Sequence, residues 1–299
     1  MTLPAPSAIP ALAEADLARF GEFVYRRTGL RFAPGQRGMV ERRVAERMRE
    51  AGTATFAEYF ARLRADLDRE VEHLINALTV NETYFLREEY QLRCLTASLM
   101  GLVTARKRPG DAVRIWSMPC ATGEEPYSIA IWLLEHWPEV DRYEVEIVGS
   151  DIDTAALAAA ARGSYGERAL MRLTPDLVGR YFAPEAAARP GPRPGPRSPP
   201  RWRIIEELRR SVRFSPCNLM DRAAMAAEGR FDVVFCRNVL IYFDDASRRV
   251  AADHLYDALA PGGFVCLGHT ESMSRISPLF RVCRLADAIV YQRPEQDDG

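Results

Sequence analysis

Apolar positions change their spacing about one third of the way along the chain, and the change divides it in two. They first recur at helical intervals: Leu17, Phe20, Val24, then Val40, Val44, Met48, then Phe56, Tyr59, Phe60, Leu63, Leu67, then Val71, Leu74, Ile75, Leu78. Each set draws one apolar stripe along a helix, and Gly52 separates the second from the third. Residues 12–88 are therefore expected to form a small all-helical domain.

Beyond the turn RKRPGD at 106–111, short β-rich runs alternate with helical patterns, the mark of a parallel sheet with crossover helices. VRIW at 113–116, VEIVGS at 145–150, FDVVFC at 231–236 and FVCLG at 264–268 are the expected strands, and FRVCRL with AIVYQR adds a terminal hairpin. Asp244 and Asp245 are placed to cap the helix that runs to Leu259, which PGG at 261–263 ends. AAARPGPRPGPRSPPR at 186–201 holds six of the twenty prolines and no large apolar side chain, so a disordered or polyproline-like surface insertion is expected. The opening MTLPAPSAIPAL is expected to be frayed.

Charge and cysteine usage then narrow the function. Forty Lys and Arg against 41 Asp and Glu leave a net charge of -1, which excludes a protein held to nucleic acid by bulk electrostatics. Lys107 is the only lysine, so an arginine at any one position carries little information by itself. Six cysteines without a CxxC pair and four histidines without ligand spacing argue against a structural zinc site or a disulfide framework. The first thirty residues lack a signal-peptide plan and no window approaches eighteen apolar residues, so a cytoplasmic location without membrane insertion is expected.

In a doubly wound sheet the ligand lies outside the carboxyl ends of the strands. There the chain reads SMPCATGEEPYS after the first strand and GSDID after the second. With Gly123 alone, the loop lacks the G-x-G-x-x-G that lets a backbone approach a pyrophosphate, so a nucleoside without phosphates suits it better than a dinucleotide. Asp151, 28 residues beyond that glycine, is placed to accept hydrogen bonds from ribose hydroxyls. Glu124 and Glu125 open the next helix, where either ordinary dipole chemistry or an ammonium ligand accounts for them.

Four stretches then occur together in order: NETYFLRE at 81–88, WSMPCATGEEPYSIA at 116–130, SDID at 150–153 and FCRNVLIYFD at 235–244. The set resembles the CheR family of chemotaxis-receptor glutamate O-methyltransferases, from about residue 15 to 292. The resemblance implies an α/β fold: a Rossmann-like S-adenosylmethionine-dependent methyltransferase domain at 89–299, the N-terminal all-helical domain at 12–88, and a small inserted β-subdomain at about 181–216. It implies S-adenosylmethionine as cofactor, with S-adenosylhomocysteine as product. By similarity Asn81, Thr83, Arg87, Glu125, Asp151, Asn218, Leu219, Asn238 and Val239 would line the cofactor, with Glu124 and Asp153 as neighbouring alternatives to Glu125 and Asp151. Arg87 would meet the methionyl carboxylate, and Tyr242 would sit beside the methyl group, so these two are the expected catalytic residues. Arg43 and Arg47, on one helix face, would dock the acidic methylation region of cytoplasmic receptor domains. GHTES at 268–272 matches a family signature without an assigned step, and a monomer is expected. The competing readings are a methyltransferase for another carboxylate and a non-catalytic sensor of adenosylmethionine.

Overall fold

The computed structural model describes residues 12–185 and 199–295. The expected disorder of the Pro/Arg tract falls mainly on 186–198 and the expected fraying on 1–11, outside the described residues.

Two units share the chain. One comprises the described residues through Val80 together with Tyr242–Ser247. Its helices are α1 (Glu14–Thr28), α2 (Arg37–Glu50), α3 (Phe56–Ala65) and α4 (Glu70–Leu78). α1 starts on Glu14 and Asp16 and ends on Arg26 and Arg27, the order its dipole favours, and Gly29 stops it in the left-handed region at φ 72°. Thr55 and Glu58 cap the start of α3 reciprocally. The apolar stripes meet in a core that buries Phe20, Val40, Val44, Tyr59, Leu63 and Leu74. Phe243 is also buried and pairs with Leu30 in an antiparallel bridge.

A charge lies inside this unit. Glu70, on α4, is 2% exposed; Arg47 donates to its two carboxylate oxygens at 3.0 and 2.8 Å, and the Tyr59 hydroxyl donates to one of them at 2.8 Å. Burial pushes the Glu70 carboxyl up, but the bonds from Arg47 and Tyr59 prevail and hold it below its usual range. Arg47, one of the two arginines expected to dock the receptor, has this structural duty: a buried carboxylate stripped of its cation is costly, and Arg47 is the cation that compensates it. Arg43 remains at the surface, 3.6 Å from Glu46.

The second unit runs from Asn81 to Ile241 and resumes at Arg248. Residues 81–88 belong to it, which corrects the expected boundary at 88. The Phe85 amide donates to the Ala169 carbonyl, the Leu86 amide to the Ser128 hydroxyl, and the Phe85 ring packs edge-on against Tyr165 and Phe182. Helix α5 (Glu89–Cys94) continues through a π turn into α6 (Met100–Thr104). Then come β1 (Ala112–Ser117), α7 (Glu124–His136), β2 (Glu144–Asp151) and α8 (Thr154–Arg162). A three-stranded antiparallel sheet follows, built from β3 (Ser164–Gly166), β4 (Phe182–Pro184) and β5 (Arg201–Ile204), with α9 (Glu167–Leu170) and α10 (Pro175–Tyr181) between the first two strands. Helix α11 (Glu206–Arg210), β6 (Val212–Pro216), α12 (Arg222–Ala227), β7 (Phe231–Cys236), α13 (Asp245–Ala258), β8 (Leu259–Leu267), β9 (Arg281–Arg284) and β10 (Ile289–Gln292) complete the chain.

The large sheet has the order β6-β2-β1-β7-β8-β10-β9, parallel except where β10 pairs with β8 and β9. The expected inserted subdomain therefore shifts: its strands span 164–204, and 212–216 is an edge strand of the large sheet, in parallel register with β2. Packing gives the reason. Gly149 on β2 leaves space for the Phe214 ring; a Cβ there would lie 2.8 Å from it. β7 is buried from end to end, as a central parallel strand must be. Its Asp232 accepts from the Arg114 amide at 2.8 Å and pairs with Lys107 at 3.0 Å.

Candidate active site

The carboxyl ends of β6, β2, β1 and β7 lie side by side in the sheet, and the turns that leave them carry most of the expected site residues. After β1 the chain folds back on β2: the Cys120 amide donates to the Ser150 carbonyl and the Ala121 amide to Asp151 Oδ2 at 2.8 Å. This turn holds Ala121 at φ 48° and Gly123 at φ 92°, and a Cβ on Gly123 would meet the Ala160 Cβ at 2.7 Å. Asp151 Oδ1 accepts from the Asp153 amide at 2.9 Å. At 3% exposure, burial pushes the Asp151 carboxyl up to about 6, against the downward pull of the Asp153 and Ala121 amides.

Asp153 does different work. Its Oδ1 caps α8 by accepting from the Ala156 amide, and its Oδ2 accepts from the Asn81 side chain at 2.7 Å. Asn81 and Thr83 line one cleft of about 520 Å³ with Glu82, Gly166, Arg168 and Ala169. Arg87 donates to the Glu82 carbonyl at 2.8 Å, and its guanidinium carbon lies 5.9 Å from the centre of the Tyr84 ring.

The two glutamates that open α7 face different partners. Glu124 is 4% exposed and accepts from the Thr122 hydroxyl at 2.6 Å. Glu125 accepts from the Ser117 hydroxyl at 2.7 Å and from Arg237 at 2.7 Å. Burial raises both carboxyls, and at Glu125 the charge of Arg237 works against that rise. At the end of β6, Asn218 Oδ1 accepts from the Met220 amide, while the carbonyl of buried Leu219 lies 2.8 Å from His254 Nδ1. After β7, Asn238 stands in the left-handed region at φ 59° and Val239 is half-buried.

Tyr242, Arg43 and Arg47 fall in the first unit, and every other expected site residue falls in the second. Tyr242 is half-buried, and its carbonyl accepts from the Arg31 amide at 3.2 Å.

Three participants escaped the sequence analysis. Arg237 is buried among Glu125, Glu88 and the Arg87 carbonyl. Glu88 also receives Tyr90, Gln91 and His269. Glu271, within the GHTES stretch, accepts from the amides of Asn238, Leu240 and Gly268 at 2.7 to 2.9 Å and so fixes the turn after β7. The available signal was a charged residue directly abutting the apolar strand FDVVFC, since a cation in that position must meet a counter-charge.

Residues 81–289 match the SAM-binding domain of CheR methyltransferases, and residues 15–79 match the all-alpha domain of the same proteins. The chain belongs to the CheR methyltransferase family. It is 42% identical over 286 residues to "Chemotaxis protein methyltransferase 2" of Vibrio cholerae, covering 95% of each chain. It is 38% identical to a chemotaxis protein methyltransferase of Klebsiella aerogenes, covering 89% of this chain and 86% of that one, and 35% identical to the Escherichia coli protein of that name, covering 90% and 88%. As a member of the CheR family the chain is an S-adenosylmethionine-dependent methyltransferase.

The donor set suits that cofactor. Asp151 Oδ2 accepts from the Ala121 amide and Oδ1 from the Asp153 amide, and a carboxylate oxygen takes more than one hydrogen bond, so the group is chemically suited to a ribose hydroxyl. Among the described residues, no group of three or more His, Cys, Asp or Glu is arranged to hold a metal ion, and no helix is long and apolar enough to cross a membrane.

Proposed function

We propose that this CheR-family enzyme methylates glutamate side chains in the cytoplasmic methylation region of chemoreceptors, the adaptation step of chemotaxis-type signalling. The observation that carries this reading is the likeness to chemotaxis protein methyltransferases over 95% of both chains. Asp151 would hold the ribose, Asn218 and Leu219 the adenine, and Arg87 and Glu125 the carboxylate and ammonium of the methionyl end. Asn81, Thr83, Asn238 and Val239 would complete the lining, and Tyr242 would stand where the methyl group is delivered.

The bound cofactor supplies an electrophilic methyl group on a positive sulfur. A glutamate with reference pKa near 4.3 is already an anion at neutral pH, so its oxygen attacks without a general base. The residues of the site then have to align it and exclude water. Receptor docking would fall to the exposed cations of α2, Arg43 with Arg42 and Arg49, because Arg47 is bound to Glu70. In this reading the enzyme works in the cytoplasm as a monomer.

The test is transfer of a tritiated methyl group to a purified receptor cytoplasmic fragment. Receptor label released as methanol by alkali is the expected result. Alkali-stable label, or none on receptors while a small carboxylic acid is methylated, would overturn the substrate assignment.

A further inference from the structure

Arg237 stands where the last residue of β7 turns into the 238–241 loop, and it is 6% exposed. One end of its guanidinium donates to Glu125 Oε2 at 2.7 Å. The other donates to the Arg87 carbonyl at 2.7 Å and lies 3.3 Å from Glu88 Oε2. Its Nε is buried without a partner among the described residues. A buried donor left unmatched is a cost that a merely structural pair has no reason to keep. The planar fork of arginine reaches two acceptors in a fixed geometry; a lysine ammonium has no such fork.

Arg87 and Glu125 lie 38 positions apart in sequence, on the 81–88 segment and at the start of α7. One cation touches both. We propose that Arg237 is a positioning residue that sets the separation of Arg87 and Glu125, and through it the recognition of the amino-acid end of the cofactor. The proposal rests on the assignment of those two residues to the methionyl carboxylate and ammonium. Arg237 acts in this proposal through its neighbours: it holds the backbone from which Arg87 projects and the carboxylate of Glu125. Glu88 anchors the arrangement from behind, fixed in turn by Tyr90, Gln91 and His269 at 3.0 to 3.1 Å.

The test compares two ligands by calorimetric titration of the full chain: S-adenosylhomocysteine, which carries the amino-acid end, and 5′-methylthioadenosine, which lacks it. The wild-type protein should bind the first far more tightly. In Arg237→Lys that preference should shrink by about tenfold or more, with methylthioadenosine affinity unchanged. A lost core contact would weaken both ligands together, so an equal drop in both affinities overturns the proposal, as does an unaltered preference. Should Arg237→Lys fail to fold, Glu88→Gln, which removes one of the cation's anchors at a partly open position, is read in the same way and against the same two outcomes. A wild-type protein without any preference would instead defeat the assignment of Arg87 and Glu125 on which the proposal stands.

Discussion

Asp151 shows how one residue ties the fold to the chemistry. Its carboxyl is pushed from an ordinary 3.8 up to about 6 by burial, although two backbone amides favour the anion. A raised acid pKa means that the folded chain binds a proton more readily than the unfolded one between those values. The group therefore lowers stability as pH rises from about 4 to 6, and that loss is complete above 6. In the proposed role Asp151 would accept from ribose hydroxyls as the anion, so proton and nucleoside would compete. Affinity for S-adenosylhomocysteine should be flat above pH 7 and weaken by about tenfold per unit below 6, in titrations run from pH 5 to 8. A flat profile across that range would mean that Asp151 is not the ribose acceptor. The candidate position of Asp151 was legible from the sequence, because it directly follows an expected strand. The partners of Arg47 and Arg237 were not: their carboxylates lie 23 and 112 positions away, nothing local to Arg47 announces its burial, and the apolar strand abutting Arg237 calls for a counter-charge without saying which residue supplies it.

The same contrast holds for elements. The apolar stripes of α1 to α4 and the runs of β1, β2, β7 and β8 are dense enough to be read from spacing alone, and so is the β9–β10 hairpin. β6 escaped because VRFSP alternates on an edge, and only Val212 and Phe214 offer it an apolar face. β3 escaped because three residues between helices carry no period. Where an element begins can matter as much as what it is. α7 starts at Gly123, whose φ of 92° and whose approach to α8 leave no space for a side chain. Gly123→Ala adds a left-handed alanine to a contact of 2.7 Å, and should lower stability by about 2–4 kcal/mol in urea denaturation. Because Glu124 and Glu125 follow directly, cofactor affinity should fall with it, and stability equal to that of the parent would contradict the packing described.

For the molecule as a whole, chain order and spatial grouping diverge. Six residues that follow β7 complete the helical unit: Asp244 accepts from the Tyr25 hydroxyl at 3.2 Å and from Arg31 at 2.6 Å, and it caps the Ser247 amide at 2.9 Å. The Ser247 amide, with Arg31 and Tyr25, holds its carboxyl down to about 2. A depressed acid contributes stability above its unfolded pKa and loses it as pH falls through the folded one, so this contribution should survive to about pH 4 and vanish near 2. Asp244→Ala should cost about 1–2 kcal/mol at neutral pH, the upper end for a lost helix cap, and far less near pH 2. An identical cost at both pH values would show that ionisation of Asp244 is irrelevant to folding. Sequence spacing places these six residues beside a strand and a helix, but not with helices more than two hundred positions earlier. Anyone retargeting such an enzyme by transplanting its front module from a relative must therefore graft a short downstream patch as well, since a single splice near residue 80 would leave donor helices facing a host peptide that they never evolved to meet.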